Sequence, residues 1–194
     1  MRSPRIAGSL AALCLLSALP AQAIDPEALR KVAQTCGACH GANGNSPTPE
    51  VPSLAGQPKQ FVTTQLVMFR EGRRLNPPMA AMTASMSNAE IDALGTYYAG
   101  LPAIAAAVPQ GEDQQKLGRA RAEQLRCVQC HGAALAGQQH IPRLAGQQAV
   151  YLRIQLLGFK AQTRFDMDGH MTSAAQAMTA EDIDLLSSYL AALR

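Results

Sequence analysis

The most reactive side chains of the sequence are two cysteine pairs, each followed directly by a histidine. The segments are CGACH at residues 36–40 and CVQCH at residues 127–131. On a helix, positions i, i+3 and i+4 share one face, so two thiols can form thioethers with the vinyl groups of one haem while the imidazole faces the iron. C-x-x-C-H is the signature of c-type haem attachment. The sequence therefore predicts two covalently bound haem c groups, attached through Cys36, Cys39, Cys127 and Cys130, with His40 and His131 as iron ligands.

Three other uses of the cysteines fit less well. A zinc site built from two C-x-x-C pairs needs them about 15 to 20 residues apart, whereas 87 residues lie between Cys39 and Cys127. A thioredoxin-like redox pair belongs near a βαβ pattern, which this sequence lacks. Structural disulfides would explain neither the histidine nor its repetition.

The ligand on the other face of each haem decides whether the iron transfers electrons or binds an external molecule. Two methionine pairs recur at one spacing: Met79 with Met171, and Met86 with Met178. Met86 and Met178 directly precede the predicted helix caps Ser87 and Thr179, which is the position of a hydrophobic staple. We therefore expect Met86 and Met178 to be packing residues.

Met79 and Met171 are the predicted distal ligands. They lie in segments that we expect to be irregular, where a side chain can be aimed at a haem face without helical constraint. Two residues of the second copy compete with Met171: His170 is its neighbour, although the first copy has proline there, and Met167 is a weaker candidate. His140 is expected to be an exposed loop residue.

A proline follows each motif histidine at almost the same distance. Pro52 lies 12 residues after His40, and Pro142 lies 11 residues after His131. A metal-binding histidine usually donates its second ring N–H to a carbonyl or carboxylate, which fixes its tautomer and orientation. The carbonyls of Pro52 and Pro142 are candidate acceptors, although both prolines could instead serve only to shape a loop.

These residues lie in two copies of one sequence unit, offset by 90 to 92 residues. PSLAGQ at residues 52–57 matches PRLAGQ at 142–147, and a proline- and alanine-containing stretch at 102–115 separates the copies as a predicted linker. Further matches are Gln65 with Gln155, Phe69 with Phe159 and Tyr97 with Tyr189.

No convincing alternation of β-branched residues occurs, so we predict an all-α fold. The predicted helices span 26–34, 59–71, 114–125 and 148–160, with a capped helix beginning near Ser87 and another near Thr179.

Residues 1–23 have the pattern of a cleaved export signal. Two arginines precede an apolar stretch that ends in an A-x-A site, and Cys14 would leave with it. The loss of Arg2 and Arg5 leaves 15 basic residues against 14 acidic residues. A nearly neutral mature chain makes nucleic acid an unfavourable partner. The expected location is the periplasm.

Together these motifs resemble the dihaem cytochromes of the c4 type over essentially the whole mature chain. The resemblance implies two tandem class I cytochrome c domains related by internal duplication, at 24–101 and 116–194, with the haems close at their interface. It also implies His40/Met79 and His131/Met171 ligation. Residues 166–170 depart from the first copy, so the segment before Met171 matches the family pattern less closely than the segment before Met79.

The resemblance further implies an electron carrier, not an enzyme, that moves single electrons from respiratory donors to a terminal oxidase or reductase. Peripheral association with the inner membrane is compatible with this role, and the sequence predicts no oligomeric state. Two alternatives remain open at this point. The chain could be the cytochrome subunit of a dehydrogenase, or a catalytic dihaem oxidoreductase in which one iron has no methionine ligand.

Overall fold

The computed structural model describes residues 24–105 and 110–194, so the predicted signal at 1–23 lies outside it. The N-terminal half contains α1 (Pro26–His40), α2 (Lys59–Arg70), α3 (Pro77–Thr83) and α4 (Asn88–Ala99). The C-terminal half contains α5 (Glu112–Gln124), α6 (Cys127–His131), α7 (Ala149–Lys160), α8 (His170–Gln176) and α9 (Ala180–Ala192). The described ranges contain one isolated β-bridge, Gln138 with Ile141, and no strand. The all-α prediction is confirmed.

In the N-terminal half, α4 forms the centre of the packing, with α1 and α2 against it and α3 against α2. The apolar faces of these helices meet because their buried residues recur at three- and four-residue steps. The core consists of Ala33, Val62, Leu66, Ile91, Leu94 and Tyr98.

In the C-terminal half, α9 is the central helix, packed against α5 and α7, while α8 packs on α7. The crossing of α5 and α9 is close at Gly118, where a Cβ would lie 2.4 Å from Cβ of Tyr189. Glycine at this position therefore lets the two helices approach. The core consists of Ala122, Leu135, Ala145, Leu152, Met178, Ile183, Leu186, Tyr189 and Leu190. In the part of the chain that the structure describes, no helix is long and apolar enough to span a bilayer.

The predicted caps of the last helix in each half are confirmed. Ser87 accepts a hydrogen bond from the Glu90 amide and Thr179 accepts one from the Asp182 amide, while each carboxylate accepts from the backbone N–H of its cap residue. These reciprocal bonds satisfy donors that the first turn of a helix leaves unpaired.

The segments around Met79 and Met171 are helical, so the expectation of irregular structure was wrong. Asn76 caps α3 through a 3.0 Å bond from the Met79 amide, and prolines occupy the first turn, where no intrahelical donor is needed. Asp166 accepts from the amides of Met171 at 2.8 Å and Thr172 at 3.1 Å, which stabilises the start of α8. Both methionines therefore lie in the first turn of a short helix.

Two further boundaries differ from the sequence prediction. Helix α1 continues without interruption through the first cysteine pair, whereas Arg126, with φ 60° and ψ 25°, separates α5 from the short α6 that carries the second pair. Helix α5 begins at Glu112, so the last four residues of the predicted 102–115 linker are helical.

The two halves are joined by reciprocal hydrogen bonds from two equivalent glutamines, which we call the glutamine clasp. The Gln147 side chain accepts from the Ser53 amide at 2.8 Å and donates to the Ser53 carbonyl at 2.9 Å. The Gln57 side chain does the same with Arg143, at 3.0 Å for both bonds. Because Gln57 and Ser53 correspond to Gln147 and Arg143 in the repeat, the clasp has two-fold pseudosymmetry.

Candidate functional site

In each motif the first cysteine is half-buried and the second is exposed. Burial raises the pKa of the Cys36 and Cys127 thiols. Each pair lies on one helical turn that also carries the motif histidine, in α1 and in α6.

The two motif histidines are buried and have equivalent contacts. Nδ1 of His40 lies 2.8 Å from the Pro52 carbonyl oxygen, and Nδ1 of His131 lies 2.8 Å from that of Pro142. Because a carbonyl only accepts, Nδ1 carries the proton and the Nε2 lone pair is available to a metal. Burial lowers the pKa of both imidazoles, against a smaller opposing effect of these hydrogen bonds. Burial thus keeps each imidazole neutral, and the hydrogen bond to the proline carbonyl orients it, as a metal ligand requires.

The second C-x-x-C-H motif and the segment around Met171 both line a large, mainly apolar cavity in the C-terminal half. Cys127, Cys130, His131 and Met171 all line it. Residues of the other half, including Phe61, contribute to one side. An apolar cavity with a few convergent polar groups is typical of a cofactor site.

The methionines differ in burial. Met178 is only 4% exposed and belongs to the C-terminal core with Ile183, as expected for a staple residue, although it also reaches the cavity. Met171 is half-buried and lies outside that core cluster. In the N-terminal half, Met79 and Met86 are both half-buried and pack against the same core cluster as Cys36 does, so burial does not separate these two.

The other distal candidates of the second copy are largely exposed. Met167 is 69% exposed, and the His170 side chain is 77% exposed with Nδ1 3.0 Å from Oδ2 of Asp168. Nε2 of His140 lies 3.3 Å from the same oxygen. Asp168 therefore contacts both His140 and His170. His140 is exposed, as the sequence analysis expected.

The sequence analysis did not identify a polar cluster at the edge of this cavity, between the two halves. Arg74 donates from Nη2 to the Tyr151 hydroxyl at 3.0 Å and to Oε1 of Gln155 at 2.9 Å. Arg164 donates to the same Gln155 oxygen at 2.5 Å. Arg74 and Arg164 occupy equivalent positions of the repeat, and this recurrence is the sequence signal that could have identified them.

The residues present fit a covalently attached haem. One helical turn offers two thiols and a neutral imidazole with a free Nε2, and the cavity beside it is apolar and contains a thioether sulfur. A porphyrin needs an apolar cavity, and haem iron takes histidine and methionine as axial ligands. The same helical turn and histidine contact recur in the N-terminal half.

Two family models match the chain, one in each half. Residues 23–97 match the model described as "Cytochrome C oxidase, cbb3-type, subunit III", and residues 115–194 match the model described as "Cytochrome c". The matches divide the chain as the internal repeat does.

The chain is similar over most of its length to several curated relatives. It is 34% identical to a cytochrome c4 of Pseudomonas aeruginosa, across 92% of this chain and 93% of that one. It is 36% identical to a thiosulfate dehydrogenase electron acceptor of Thiomonas intermedia, across 82% of this chain and 79% of that one.

Solved structures show the same architecture. The reduced recombinant cytochrome c4 from Pseudomonas stutzeri superposes with a TM-score of 0.78 at 29% identity, covering 88% of this chain and 99% of that one. A thiosulfate dehydrogenase (TsdBA) from Marichromatium purpuratum gives a TM-score of 0.77 at 30% identity, covering 87% of this chain but 40% of that one. The chain therefore belongs to the cytochrome c4 family of electron-transfer proteins, has two cytochrome c domains, and carries two covalently bound haem c groups.

Proposed function

We propose that each haem is attached through one cysteine pair and held between histidine and methionine. The assigned residues are Cys36, Cys39, His40 and Met79 for the N-terminal haem, and Cys127, Cys130, His131 and Met171 for the C-terminal haem. The observation that carries this assignment is the convergence of Cys127, Cys130, His131 and Met171 on one apolar cavity. The exposure of Met167 and His170, and the contact of His170 with Asp168, favour Met171 over both rivals.

Each part of the chain has a separate task in this assignment. The Pro52 and Pro142 carbonyls orient the imidazoles and hold their Nδ1 protons. The apolar walls exclude water. Because histidine and methionine would occupy the ligand positions of the iron that the porphyrin leaves open, electron transfer would make or break no bond. When bound, haem supplies one-electron exchange between ferric and ferrous iron, and thioether ligation with burial raises its potential.

The proposed domains are residues 24–101 and 116–194, with 102–115 connecting them, and the proposed signal at 1–23 directs the chain to the periplasm. There it carries single electrons from respiratory donors to a terminal oxidase or reductase, in solution or at the surface of the inner membrane. The mature chain is nearly neutral, so its partners are redox proteins, not nucleic acid.

A second candidate is acceptance of electrons from a sulfur-compound dehydrogenase. Its support is the similarity to thiosulfate dehydrogenase electron acceptors of Thiomonas intermedia and of Stutzerimonas stutzeri, the latter at 33% identity. A third candidate is a catalytic dihaem protein in which one iron has no methionine ligand. No side chain described above supports it specifically.

Carbon monoxide binding to the fully reduced holoprotein separates a carrier from an enzyme. If each iron has a histidine and a methionine ligand, neither haem should bind carbon monoxide rapidly. Both haems should reoxidise fully with an external electron acceptor. Rapid binding at one haem would contradict the carrier assignment. Reduction of the same holoprotein by a purified thiosulfate dehydrogenase with thiosulfate, compared with reduction by a quinol-oxidising respiratory complex, distinguishes the two donor classes.

A further inference from the structure

The Tyr98 side chain ends in a buried hydroxyl that has no hydrogen-bond partner among the described residues. Tyr98 lies in α4, within the core of the N-terminal half, and is only 3% exposed. Its backbone carbonyl accepts from the Gly56 amide at 2.9 Å, so the main chain at this position is held. Because an unpaired buried hydroxyl costs free energy and is uncommon in folded proteins, we expect an acceptor beside it.

The side chain that interacts with this hydroxyl is the first cysteine of the first motif. Cys36 lies in α1, which packs against α4, and it contacts the core cluster to which Tyr98 belongs. Burial raises the pKa of the Cys36 thiol, and the Tyr98 phenol is the largest opposing effect. Burial, followed by the charge of Cys36, raises the pKa of Tyr98. Such reciprocal effects arise between neighbouring groups.

The Tyr98 ring is held in place by close packing. A Cβ added to Gly44 would lie only 3.0 Å from Cδ1 and 3.1 Å from Cε1 of the ring, so the glycine makes room for it. The Tyr97 ring packs against the Tyr98 ring in an edge contact, with the centroids 5.1 Å apart. The direction of the hydroxyl is therefore set by packing, and its hydrogen-bonding capacity is unused within the polypeptide.

The C-terminal half has leucine at both equivalent positions. Leu135 corresponds to Gly44: both have positive φ, at 54° and 69°, and both carbonyls accept two backbone amides from the repeated LAG segment. Leu190 corresponds to Tyr98, and both leucines belong to the C-terminal core. A leucine in place of Gly44 would crowd the tyrosine ring. Glycine and tyrosine thus occur together in one half, and only that half has a hydroxyl at this place.

We propose that the Tyr98 hydroxyl donates a hydrogen bond to the thioether sulfur formed at Cys36, and that this bond raises the reduction potential of the N-terminal haem. The proposal rests on the haem attachment at Cys36 given under the proposed function. A sulfur that carries haem has no proton, so it can only accept and the phenol must donate. The bond withdraws electron density from the edge of the porphyrin, which favours ferrous iron. Hydrogen bonding around a haem is one of the means by which a protein sets its potential.

The first test is nuclear magnetic resonance of the ferrous holoprotein, in which low-spin haems are diamagnetic. A buried hydroxyl proton that forms a hydrogen bond exchanges slowly with water and should give its own signal. We expect nuclear Overhauser effects from this proton to the ring protons of Tyr98, the β protons of Cys36 and the haem substituent attached to the same sulfur. The signal should be absent from Tyr98→Phe. It should persist in the matched control Tyr97→Phe, which removes the adjacent, half-buried phenol.

The second test is a redox titration in which the haem methyl signals of the two haems are followed separately. Tyr98→Phe should lower the midpoint potential of the N-terminal haem at least twice as far as Tyr97→Phe does, because only the first variant removes the bond to sulfur. No such difference is expected at the C-terminal haem. A smaller difference at the N-terminal haem would overturn the proposal.

The wild-type spectrum decides the matter if Tyr98→Phe does not fold. Absence of a slowly exchanging Tyr98 hydroxyl proton, or contacts of that proton only to other groups, would also overturn the proposal. Mass spectrometry of the peptide that contains Cys36 separates this proposal from the attachment on which it rests. A peptide without haem would contradict both, whereas attached haem without the hydroxyl contact would contradict the role of Tyr98 alone.

Discussion

Arg121 and Asp182 form a bidentate ion pair that joins α5 to α9, with Nε and Nη2 each 2.6 Å from a carboxylate oxygen. Both side chains are largely buried. Asp182 also accepts from the Thr179 amide at 2.8 Å, so the same carboxylate caps α9. One side chain thus fixes the start of the central helix of the C-terminal half and its contact with α5.

Replacing Asp182 by Ala should destabilise the holoprotein by about 1–2 kcal/mol, because both the cap and a charge-assisted bidentate pair are lost. The matched control is Asp184→Ala in the same helix, which breaks the exposed Arg153–Asp184 pair and should cost less than about 1 kcal/mol. Urea unfolding followed by circular dichroism measures both. Equal losses would show that the Arg121 pair contributes nothing specific.

The same carboxylate predicts a pH dependence of stability. The hydrogen bond from Arg121, followed by those from Thr179, lowers the pKa of Asp182 from 3.8 to about 2. Because the folded-state pKa is depressed, its stabilisation is present above the unfolded pKa and is lost as the pH falls through the folded pKa. The stability advantage of wild type over Asp182→Asn should be constant above about pH 5 and should shrink between about pH 4 and 2. An advantage that persists unchanged at pH 2 would contradict this.

Gly118→Ala should destabilise the chain even though alanine is the better helix former. An added Cβ would lie within 3 Å of three Tyr189 side-chain atoms at the α5–α9 crossing, and overpacking of this kind costs about 1–3 kcal/mol. Arg119→Ala, one residue away and exposed, should change stability by less than about 0.5 kcal/mol. Thermal unfolding of the two holoproteins compares them, and a stabilised Gly118→Ala variant would show that α5 and α9 are less closely packed.

Met178→Ala and Met171→Ala should have opposite effects, the first on the free energy of unfolding and the second on the absorption spectrum and potential of the C-terminal haem. Met178 is buried in the core, so its truncation should lower the free energy of unfolding by about 2–5 kcal/mol. The absorption band from methionine sulfur to the ferric iron of the C-terminal haem, which we call the methionine band, should persist. Met171→Ala should abolish that band and lower the potential of the C-terminal haem. Visible absorption spectra and urea unfolding of the two variants provide the measurements. Loss of the band in Met178→Ala would reverse the assignment.

Gln147→Ala should loosen the contact between the two halves. It removes both bonds to Ser53, and unsatisfied buried backbone groups cost about 1–3 kcal/mol. Amide hydrogen exchange at Ser53 should accelerate, while that at Arg143, held by Gln57, should change less. Gln115→Ala on the exposed side of α5 is the control, and unchanged exchange at Ser53 would contradict a structural role for the clasp.

The local features of this fold could be predicted from sequence because each depends on a few neighbouring residues. The Ser87–Glu90 and Thr179–Asp182 capping boxes are encoded by residue pairs three positions apart, and both are present. Helices α2 and α7 are set by apolar periodicity, and both lie within one residue of prediction at each end. The 90- to 92-residue repeat predicted the two domains of the family.

The features that the sequence did not reveal depend on an unusual capping distance, on a single backbone angle or on distant residues. Helix α8 begins because Asp166 caps it from five residues upstream of Met171, and α5 and α6 are separate because Arg126 adopts a left-handed conformation. The contact of Arg74 with Tyr151 joins residues 77 positions apart. Nothing in the local sequence near Arg74 indicates which residue of the other half it meets.

The glutamine clasp also bears on how this chain arose. Each half contributes one glutamine side chain and the backbone segment that receives the other glutamine, so the surface is isologous and either half is complementary to a second copy of itself. A single ancestral unit could thus have paired as a homodimer through the same bonds before the two genes fused. Positions 61 and 151 are equivalent in the repeat but hold Phe and Tyr. Such differences could arise only after fusion, because two identical subunits cannot diverge from each other.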